Sequence, residues 1–359
     1  MNARDTFHVT TGNPMQTARA DRTDEASRPR TDERALLRIR GLRTCFDTAG
    51  GVVRAVDGVD LDVFPGECLG VVGESGSGKS VTFASVIGLV RSPGRIEAGS
   101  VEFDGQDLVG MSRKEIRRLR GKEIAMTMQD ALAALNPALT VGEQLTEVLY
   151  AHDDALPTRS RARKAEAHRK AVELMQMVGI PSAQTRLRDY PHQFSGGMRQ
   201  RIMIAIALAC RPRLLIADEP TTALDVTVQA QVLELIASLR KRLGMSVVLI
   251  THDLGIVIEQ CDRVAVMYAG QIVETGTAQQ VIGDPRHPYT RGLLESIPRL
   301  SEPYAKIRPI EGQVPDLVNL PDVCRFYTRC PRRTESCRTL IDMHPLGGGR
   351  QVRCILAQE

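Results

Sequence analysis

The sequence predicts an α/β fold with a mainly parallel sheet, and three observations lead to this class. Strand and helix patterns alternate along the second half of the chain, over strand 213–217, helix 227–243, strand 246–250, helix 253–260 and strand 263–268. Such alternation is typical of parallel strands joined by covering helices. The run Cys68-Leu69-Gly70-Val71-Val72 is short, apolar and bounded by glycine, as a buried parallel strand is. Of the 359 residues, 42% are hydrophobic and 25% are charged, which excludes wholesale disorder.

Antiparallel strands and helices are expected around this sheet. Residues 36–46 and 52–64 have the pattern of two antiparallel strands, the second with alternating apolar residues. Residues 140–179 have a helical pattern, and residues 159–170 contain six Lys or Arg and one Glu. We interpret this basic stretch as a solvated helix face, with a lipid-facing or regulatory role as the alternative.

The two ends of the chain lack this periodicity. Residues 1–35 are rich in Thr, Arg, Asp and Pro, and we expect them to form a disordered leader. After about Gly283 the pattern fades into a segment rich in Pro, Arg and Cys. The predicted organisation is therefore a leader over 1–35, a main domain over 36–283 and a small C-terminal region over 284–359.

Charge and hydropathy exclude several classes of protein. Lys and Arg number 47 against 43 Asp and Glu, and a net charge of +4 gives little reason to expect nucleic acid as a partner. No stretch approaches the 18 or so apolar residues of a membrane-spanning helix, and the first residues do not have the pattern of a secretory signal. We therefore expect a cytosolic chain whose eight Cys are thiols or metal ligands rather than disulfides.

A phosphate-binding loop follows the buried strand. The segment matches G-x-x-x-x-G-K-[ST], and with the next residue it comprises Gly73, Glu74, Ser75, Gly76, Ser77, Gly78, Lys79, Ser80 and Val81. The glycines let backbone N–H groups close around phosphate oxygens at the start of a predicted helix over 81–90. Lys79 would reach the β- and γ-phosphates, and the Ser80 hydroxyl would bind Mg²⁺. A plain Gly/Ser-rich turn is the alternative, which the complete motif between strand and helix disfavours.

Two carboxylates end a second apolar strand. The run Leu214-Leu215-Ile216-Ala217-Asp218-Glu219-Pro220 places Asp218 and Glu219 at its carboxyl end. One carboxylate there suits the magnesium site, and the next can orient or deprotonate a water. Such a pair is often only a solvated strand end, but the preceding phosphate loop favours the functional interpretation.

A further segment indicates a family. Phe194-Ser195-Gly196-Gly197-Met198-Arg199-Gln200-Arg201 resembles the signature of the ATP-binding cassette (ABC) ATPases. Gln129 follows a predicted strand over 124–128 and resembles the Q-loop, and Ala223-Leu224-Asp225 resembles the D-loop. His252 resembles the switch histidine, and Phe46 stands where the family keeps an aromatic residue that stacks on adenine. Six elements in order over residues 36–280 make a chance match improbable.

The resemblance narrows to one group of ABC ATPases. The segments 195–201, 214–227 and His287-Pro288-Tyr289-Thr290, followed by Leu293-Leu294, resemble the ATPases of oligopeptide, dipeptide and nickel importers. The implied fold is an ABC-type phosphate-loop nucleotide-binding domain. It has a RecA-like parallel core, an antiparallel β subdomain, a helical subdomain over about 130–190 and the C-terminal region.

The resemblance also implies a shared catalytic site. ATP would lie between two cassettes, with the loop of one facing Ser195, Gly196 and Gly197 of the other, whose N–H groups would bind the γ-phosphate. Glu219, His252 and Gln129 are the expected catalytic residues, Glu219 as the base or water-orienting group. The residues expected to contribute to Mg²⁺ binding are Ser80, Gln129 and Asp218, while Phe46 and Asp225 complete the expected nucleotide contacts.

The family further implies a role and partners. We expect a peripheral ATPase on the cytoplasmic face of the cell membrane that powers peptide import. Its partners would be two integral-membrane permeases, a second identical or related ATPase subunit and, indirectly, an extracytoplasmic peptide-binding protein. The same role for nickel or another solute, a soluble ABC ATPase outside transport, and a redox-sensing module are the alternatives.

Four cysteines cluster near the end of the chain. Their spacing is C-x5-C-x6-C-x16-C, over Cys324, Cys330, Cys337 and Cys354. A metal centre can supply folding energy to a segment with few apolar residues. Cys₄ ligation suits a [4Fe–4S] cluster, and the Cys330-Pro331 step resembles ferredoxin-like ligation. The expectation is a cluster, with zinc and a metal-free tail as alternatives, since the close Cys pairs typical of structural zinc are missing.

Overall fold

The computed structural model describes residues 34–222, 224–296 and 309–357, so most of the predicted leader lies outside the described residues. The β-strands are β1 Leu37–Thr48, β2 Gly51–Val63, β3 Cys68–Val72, β4 Gly94–Phe103, β5 Gln106–Asp107, β6 Ile124–Thr127, β7 Leu214–Asp218, β8 Ser246–Thr251, β9 Arg263–Tyr268, β10 Gln271–Thr277, β11 His344–Gly347 and β12 Arg350–Val352. The α-helices are α1 Lys79–Val86, α2 Arg113–Leu119, α3 Ala131–Ala134, α4 Val141–His152, α5 Ser160–Met177, α6 Ala183–Arg186, α7 Gly196–Ala207, α8 Val226–Leu243, α9 Leu254–Gln260, α10 Ala278–Gly283 and α11 Pro288–Glu295.

The strands form two sheets. The larger has the order β11-β12-β10-β9-β3-β8-β7-β6, and its β9-β3-β8-β7-β6 section is parallel. The smaller has the order β2-β1-β4-β5 and is antiparallel throughout. The predicted α/β class is therefore confirmed, with its parallel core and separate antiparallel strands.

The parallel strands are buried because helices cover them. All residues of β3, β7 and β8 are buried, and each of these strands is rich in aliphatic side chains. The two faces of the large sheet contribute to two apolar clusters, one shared with α4, α5 and α7 and the other with α1 and the antiparallel sheet. The carboxyl ends of parallel strands gather at one edge, which is where α/β proteins bind ligands.

Local sequence signals set the start of helix α4, which lies between β3 and β7 in the chain. Thr140 begins α4 with a capping box, because its hydroxyl accepts from the Glu143 N–H and the Glu143 carboxylate accepts from the Thr140 N–H. The basic stretch lies mostly on α5, whose buried residues are Ala167, Ala171, Leu174 and Met175. Arg161, Lys164 and Arg169 are exposed, while Arg163 is half-buried and Lys170 pairs with Asp153 at 2.6 Å.

Some elements escape the sequence pattern. The strand β4 reads GRIEAGSVEF and is largely exposed or half-buried, so it lacks the apolar alternation that predicts a strand. The strand β10 contains Glu274 and Gly276 but is buried over its first six residues. The helix α1 begins at Lys79 inside the predicted loop rather than at Val81.

The C-terminal region is part of the large sheet. Strand β12 pairs with β10 through Glu274 with Val352 and Thr275 with Gln351, and β11 pairs with β12. An ion pair of 2.6 Å between Arg350 and the fully buried Glu274 supports the same junction. The region therefore extends the main sheet through β12.

Aromatic packing connects the C-terminal region to the core of the main domain. Phe326 is 2% exposed and lies 5.3 Å from the Tyr268 ring, 5.4 Å from the Tyr289 ring and 5.8 Å from the His287 ring, measured between centroids. Burial lowers the pKa of His287 to about 3, so its neutral Nδ1 accepts from the Tyr289 N–H at the start of α11. The segment around Phe326 has few apolar residues, and it packs on its neighbours through this one large ring.

None of the helices in the described parts of the chain combines the length and the apolar character that crossing a bilayer requires.

Replacing Phe326 by Ala tests whether the C-terminal region is part of the cassette core. We expect the free energy of unfolding of the full chain to fall by about 3–5 kcal/mol, because truncating a buried Phe removes apolar contact and leaves a cavity. Leu340, which is 50% exposed, gives a control, since Leu340→Ala should change stability by less than about 0.5 kcal/mol. Urea denaturation followed by circular dichroism measures both. An unchanged transition in Phe326→Ala would mean that the region folds separately.

Candidate functional site

The predicted phosphate loop joins β3 to α1 at the carboxyl edge of the large sheet. The backbone has positive φ at Gly73 (+155°), Gly76 (+76°) and Gly78 (+100°). At Gly73 an added Cβ would lie 2.1 Å from the Met267 carbonyl oxygen, and at Gly78 it would lie 2.2 Å from that of Ala55. Only glycine fits between these carbonyls, so the sequence requirement follows from backbone contact as well as from φ.

Lys79 points back into the loop. Its Nζ donates to the carbonyl oxygens of Gly73 at 2.8 Å and Glu74 at 2.9 Å, and the residue is 5% exposed. Burial lowers the pKa of the Lys79 amine, while the nearby carboxylates of Glu219, Asp218 and Glu74 act in the opposite direction. The amine is thus held among loop carbonyls at the place where a phosphate would bind.

Ser80 and Asp218 form a pair of oxygen groups beside Lys79. The Ser80 hydroxyl donates to Asp218 Oδ1 at 2.9 Å. Burial raises the pKa of the Asp218 carboxyl, and the charge of Glu219 adds to this, whereas the Ser80 hydrogen bond and Lys79 lower it. The structure therefore brings together two of the three residues expected at the magnesium site.

Glu219 is the centre of a second group. Its Oε2 accepts from Gln129 Nε2 at 2.8 Å and from the Thr222 hydroxyl at 2.9 Å, and its Oε1 lies 3.6 Å from His252 Nδ1. The backbone of Glu219 has φ of +42°, an uncommon value for a residue with a side chain. Its N–H donates to the Ile250 carbonyl oxygen of β8 at 2.9 Å, which fixes the strained residue.

The three predicted catalytic residues are thus in one place. Gln129 follows β6, Glu219 follows β7 and His252 follows β8, and these parallel strands are neighbours. The His252 side chain is 64% exposed while that of Glu219 is 16% exposed. The geometry leaves one face of His252 open towards solvent, at the surface where a further group can approach.

Thr222 is a site residue that the motifs did not predict. Its hydroxyl shares Glu219 Oε2 with Gln129, so it helps to hold the carboxylate in one orientation. It lies three residues after Glu219, in the turn that follows β7, where a single hydroxyl forms no recognisable motif.

The signature residues open α7 on the surface. Ser195 is the N-cap of this helix, and its hydroxyl accepts from the Met198 N–H at 3.4 Å. Ser195 and Gly196 are exposed, and among the described residues no hydrogen bond or ion pair joins the signature to the phosphate loop. An added Cβ at Gly197 would lie 2.4 Å from Val228 Cγ1, so this glycine allows α7 and α8 to pack closely.

Asp225 and Phe46 lie at two other edges. Asp225 is the N-cap of α8, with Oδ1 accepting from the Val228 N–H at 2.9 Å. Phe46 is half-buried on β1, where its ring covers the backbone of Gly94 on β4. Asp225 is exposed next to the half-buried Leu224.

Two protein-family models match parts of this chain. Residues 56–222 match the family model for ABC transporters, and residues 273–337 match that for the oligopeptide/dipeptide transporter C-terminal region. The chain is 49% identical over 326 residues to the oligopeptide transport ATP-binding protein AppD of Bacillus subtilis (strain 168), covering 90% of this chain and 97% of that protein. The chain belongs to the ATP-binding subunits of ABC transporters.

Other relatives of this ABC subunit are similar over most of their length. The dipeptide transport ATP-binding protein DppD of Escherichia coli (strain K12) is 46% identical over 321 residues, which cover 89% of this chain and 96% of that protein. The dimeric post-hydrolysis structure of the ATP-binding cassette MJ0796 bound to ADP and Pi aligns with a TM-score of 0.59 and 25% identity. That alignment covers 67% of this chain and 98% of the other, so it confirms the ABC ATPase fold.

The predicted cluster in the C-terminal region of this ABC subunit is not supported by the structure. Among the described residues no group of three or more His, Cys, Asp or Glu is arranged to hold a metal ion. The four thiols are free. Burial raises the pKa of the Cys324 thiol to about 11, and Cys337, Cys330 and Cys354 shift it in the same direction. Phe326 and β12 connect the region to the core of the main domain.

Replacing Gly78 by Ala tests the close backbone contact in the loop. We expect ATP affinity to fall at least about tenfold, because the new Cβ would displace the loop from the Ala55 carbonyl and misplace its N–H groups. Gly66 has φ of +71° and open space around its Cα, so Gly66→Ala adds backbone strain without a collision. Titration with a fluorescent ATP analogue should give wild-type affinity for Gly66→Ala. Equal losses in both variants would mean that strain, not contact, governs the loop.

Proposed function

We propose that this chain is the ATP-hydrolysing subunit that powers peptide import through a membrane ABC transporter. The observation that carries the proposal is the pairing of the ABC match over 56–222 with the oligopeptide/dipeptide transporter C-terminal match over 273–337 in one chain. The relatives named above are oligopeptide and dipeptide transport ATP-binding proteins. A nickel or other solute importer shares this architecture and is the second candidate, whereas a soluble ABC ATPase outside transport does not account for the C-terminal match.

The phosphate loop would hold the ATP polyphosphate. Its amides from Gly73 to Val81 are proposed to surround the phosphates, with Lys79 moving from the Gly73 and Glu74 carbonyls to the β- and γ-phosphate oxygens. The support is that Nζ already lies within the loop, 2.8 Å and 2.9 Å from those oxygens. Phe46 would stack on the adenine from the antiparallel sheet.

Glu219 is proposed to orient and polarise the attacking water. Its carboxylate is fixed by the Gln129 amide and the Thr222 hydroxyl, which leaves Oε1 for other partners. Phosphoryl transfer proceeds through a loose transition state, so positioning of the water and stabilisation of charge supply the catalysis. His252, 3.6 Å from Oε1, would contact the γ-phosphate and sense whether it is present.

The residues beside Lys79 fit a magnesium ion. Ser80 and Asp218 offer a hydroxyl and a carboxylate oxygen 2.9 Å apart, and Mg²⁺ prefers oxygen ligands. When bound, the ion would neutralise charge on the β- and γ-phosphates. Gln129 would complete this set from the start of the helical segment that follows β6.

A second cassette would complete the site. Ser195, Gly196 and Gly197 lie at the exposed N-terminus of α7, where helix dipole and N–H groups favour an anion. Because no contact among the described residues joins them to this chain's own loop, we infer that they face the γ-phosphate bound by a partner, with Asp225 at the same interface. The dimeric state named for the MJ0796 cassette agrees with this inference.

The chain would divide its tasks between three parts. We propose that residues 36–283 form the ATPase, with a helical subdomain over about 130–190 that docks on a permease at the cytoplasmic face. The assembled transporter would contain two integral-membrane permeases. Residues 284–359 would be the importer-type C-terminal region. The second ATPase subunit would be identical or related, and an extracytoplasmic peptide-binding protein would deliver cargo to the permeases.

Replacing Glu219 by Gln tests the catalytic assignment in the assembled transporter. In proteoliposomes containing the permeases, both ATPase subunits and the binding protein, we expect ATP hydrolysis and peptide uptake to fall at least about 100-fold, as loss of a catalytic base does. ATP binding should persist, because the amide keeps the size of the side chain.

Glu234 on α8 supplies the control for this experiment, since its carboxylate is exposed and away from the site. Glu234→Gln should keep both rates. Peptide uptake at the normal rate in Glu219→Gln would refute the assignment. Hydrolysis that responds to the binding protein loaded with nickel but not with peptide would favour the second candidate.

We also propose that the four thiols of the C-terminal region form a metal site, with a [4Fe–4S] cluster first and zinc second. The support is the chemistry of the residues: Cys330, Cys337 and Cys354 are buried, and all four cysteines are free. Their side chains would have to move closer to one another to hold a metal, since the described residues are not arranged as a metal site. Four Cys thiolates are the ligand set of such clusters. The site would be structural and separate from hydrolysis.

Anaerobic purification followed by metal and sulfide analysis tests the thiol site. A cluster predicts about four iron and four sulfide per chain and a brown colour that is lost in Cys330→Ser. Cys210 lies outside the C-terminal region, so Cys210→Ser should keep the colour. Stoichiometric zinc would establish the alternative ligand, and a metal-free, folded protein would refute both.

A further inference from the structure

Hydrogen bonds join the described part of the C-terminal region to the phosphate loop at Glu74. The Glu74 carboxylate accepts two hydrogen bonds from the Arg329 guanidinium, at 2.6 Å from Nη1 to Oε2 and 3.0 Å from Nη2 to Oε1. The backbone N–H of Glu74 donates to the Tyr289 hydroxyl at 2.9 Å. These partners are 255 and 215 residues further along the chain, so only the tertiary fold brings them to the loop.

Arg329 is fixed on its other sides. Its Nε donates to the Glu311 carbonyl oxygen at 3.0 Å, and its Nη2 donates to that of Ile310 at 3.2 Å. Its Nη1 lies 3.4 Å from the Tyr268 hydroxyl, and the side chain is 4% exposed. The five N–H groups of a guanidinium thus all have acceptors. A group held in this way cannot follow a moving loop, so it sets the position of the Glu74 carboxylate.

Glu74 in turn contacts Lys79. The Glu74 carbonyl oxygen accepts from Lys79 Nζ at 2.9 Å. Glu74 therefore connects two parts of the molecule. Its carboxylate and its N–H contact the C-terminal region, and its carbonyl oxygen contacts Lys79 of the loop.

We propose that Arg329, supported by Tyr289, is a positioning residue for ATP binding: it fixes Glu74 and neutralises the Glu74 carboxylate beside the bound polyphosphate. The inference rests on the proposed phosphate-binding role of Lys79. A carboxylate on the loop repels the negative charges of ATP, and its paired guanidinium cancels that repulsion at short range. The bidentate geometry also fixes the direction of the carboxylate, which a single charge does not do.

A merely structural role for Arg329 makes a different prediction. If the arginine only anchors the C-terminal region, its loss should weaken ATP binding whether or not Glu74 is charged. If it acts through Glu74, its loss should have no further effect once the Glu74 carboxylate has been replaced by an amide. Coupling between the two substitutions separates the two roles.

ATP affinity of the full chain measures this coupling. We expect Arg329→Gln to raise the dissociation constant of ATP about tenfold, a usual size for coupling between distinct sites. The double variant Arg329→Gln with Glu74→Gln should have the affinity of Glu74→Gln alone. Arg329→Lys should fall between wild type and Arg329→Gln, because it keeps the charge and loses the bidentate contact.

Arg325 provides the matched control. It lies one turn earlier in the same segment, its side chain is 2% exposed, and it pairs with Asp57 of β2 at 2.6 Å rather than with the loop. Arg325→Gln should keep wild-type ATP affinity although it removes a buried ion pair. Wild-type affinity in Arg329→Gln, an equal loss in Arg325→Gln, or a full loss in the double variant would each overturn the proposal. Lys79→Ala tests the underlying role separately, since unchanged ATP affinity there would refute the proposed function of Lys79 and not the coupling.

Discussion

The site depends on how the chain leaves β3. This strand pairs in parallel with β8 on one side and with β9 on the other, so its carboxyl end is fixed from both sides. The loop that follows must then pass the Met267 and Ala55 carbonyls at distances that exclude any side chain at Gly73 and Gly78. This close contact forces the backbone into a tight turn before α1. Lys79, Ser80 and the carboxylates of Asp218 and Glu219 lie around that turn.

Electrostatics at that edge follow from burial. The Lys79 amine faces Asp218 and Glu219, and burial acts against the charged form of both the amine and Asp218, lowering the pKa of the first and raising that of the second. Gln129 and Thr222 hold Glu219 without adding charge. A site with two carboxylates and one amine is short of positive charge, which suits a divalent cation that arrives with ATP.

Motifs with fixed spacing indicated the candidate site residues, because those residues are local to a strand end or a helix start. Gln129, Glu219 and His252 lie together because they follow neighbouring parallel strands, whose carboxyl ends lie at one edge of the sheet. Sequence patterns missed β4 and β10, where exposure or a buried Glu274 disturbs the expected alternation. They also missed Thr222, since a single hydroxyl in a turn has no pattern of its own, and no local signal relates Arg329 to a residue 255 positions earlier.

The C-terminal region is joined to the main domain by ring packing and by strand pairing. Phe326 packs on Tyr268 of β9 and on Tyr289 of α11, and β12 pairs with β10. Cys330 directly follows Arg329, so oxidation or metal binding at that thiol would act one residue from the guanidinium that holds Glu74. The side chains of Arg329 and Glu74 thus lie between this thiol and the phosphate loop, although the two are far apart in the sequence.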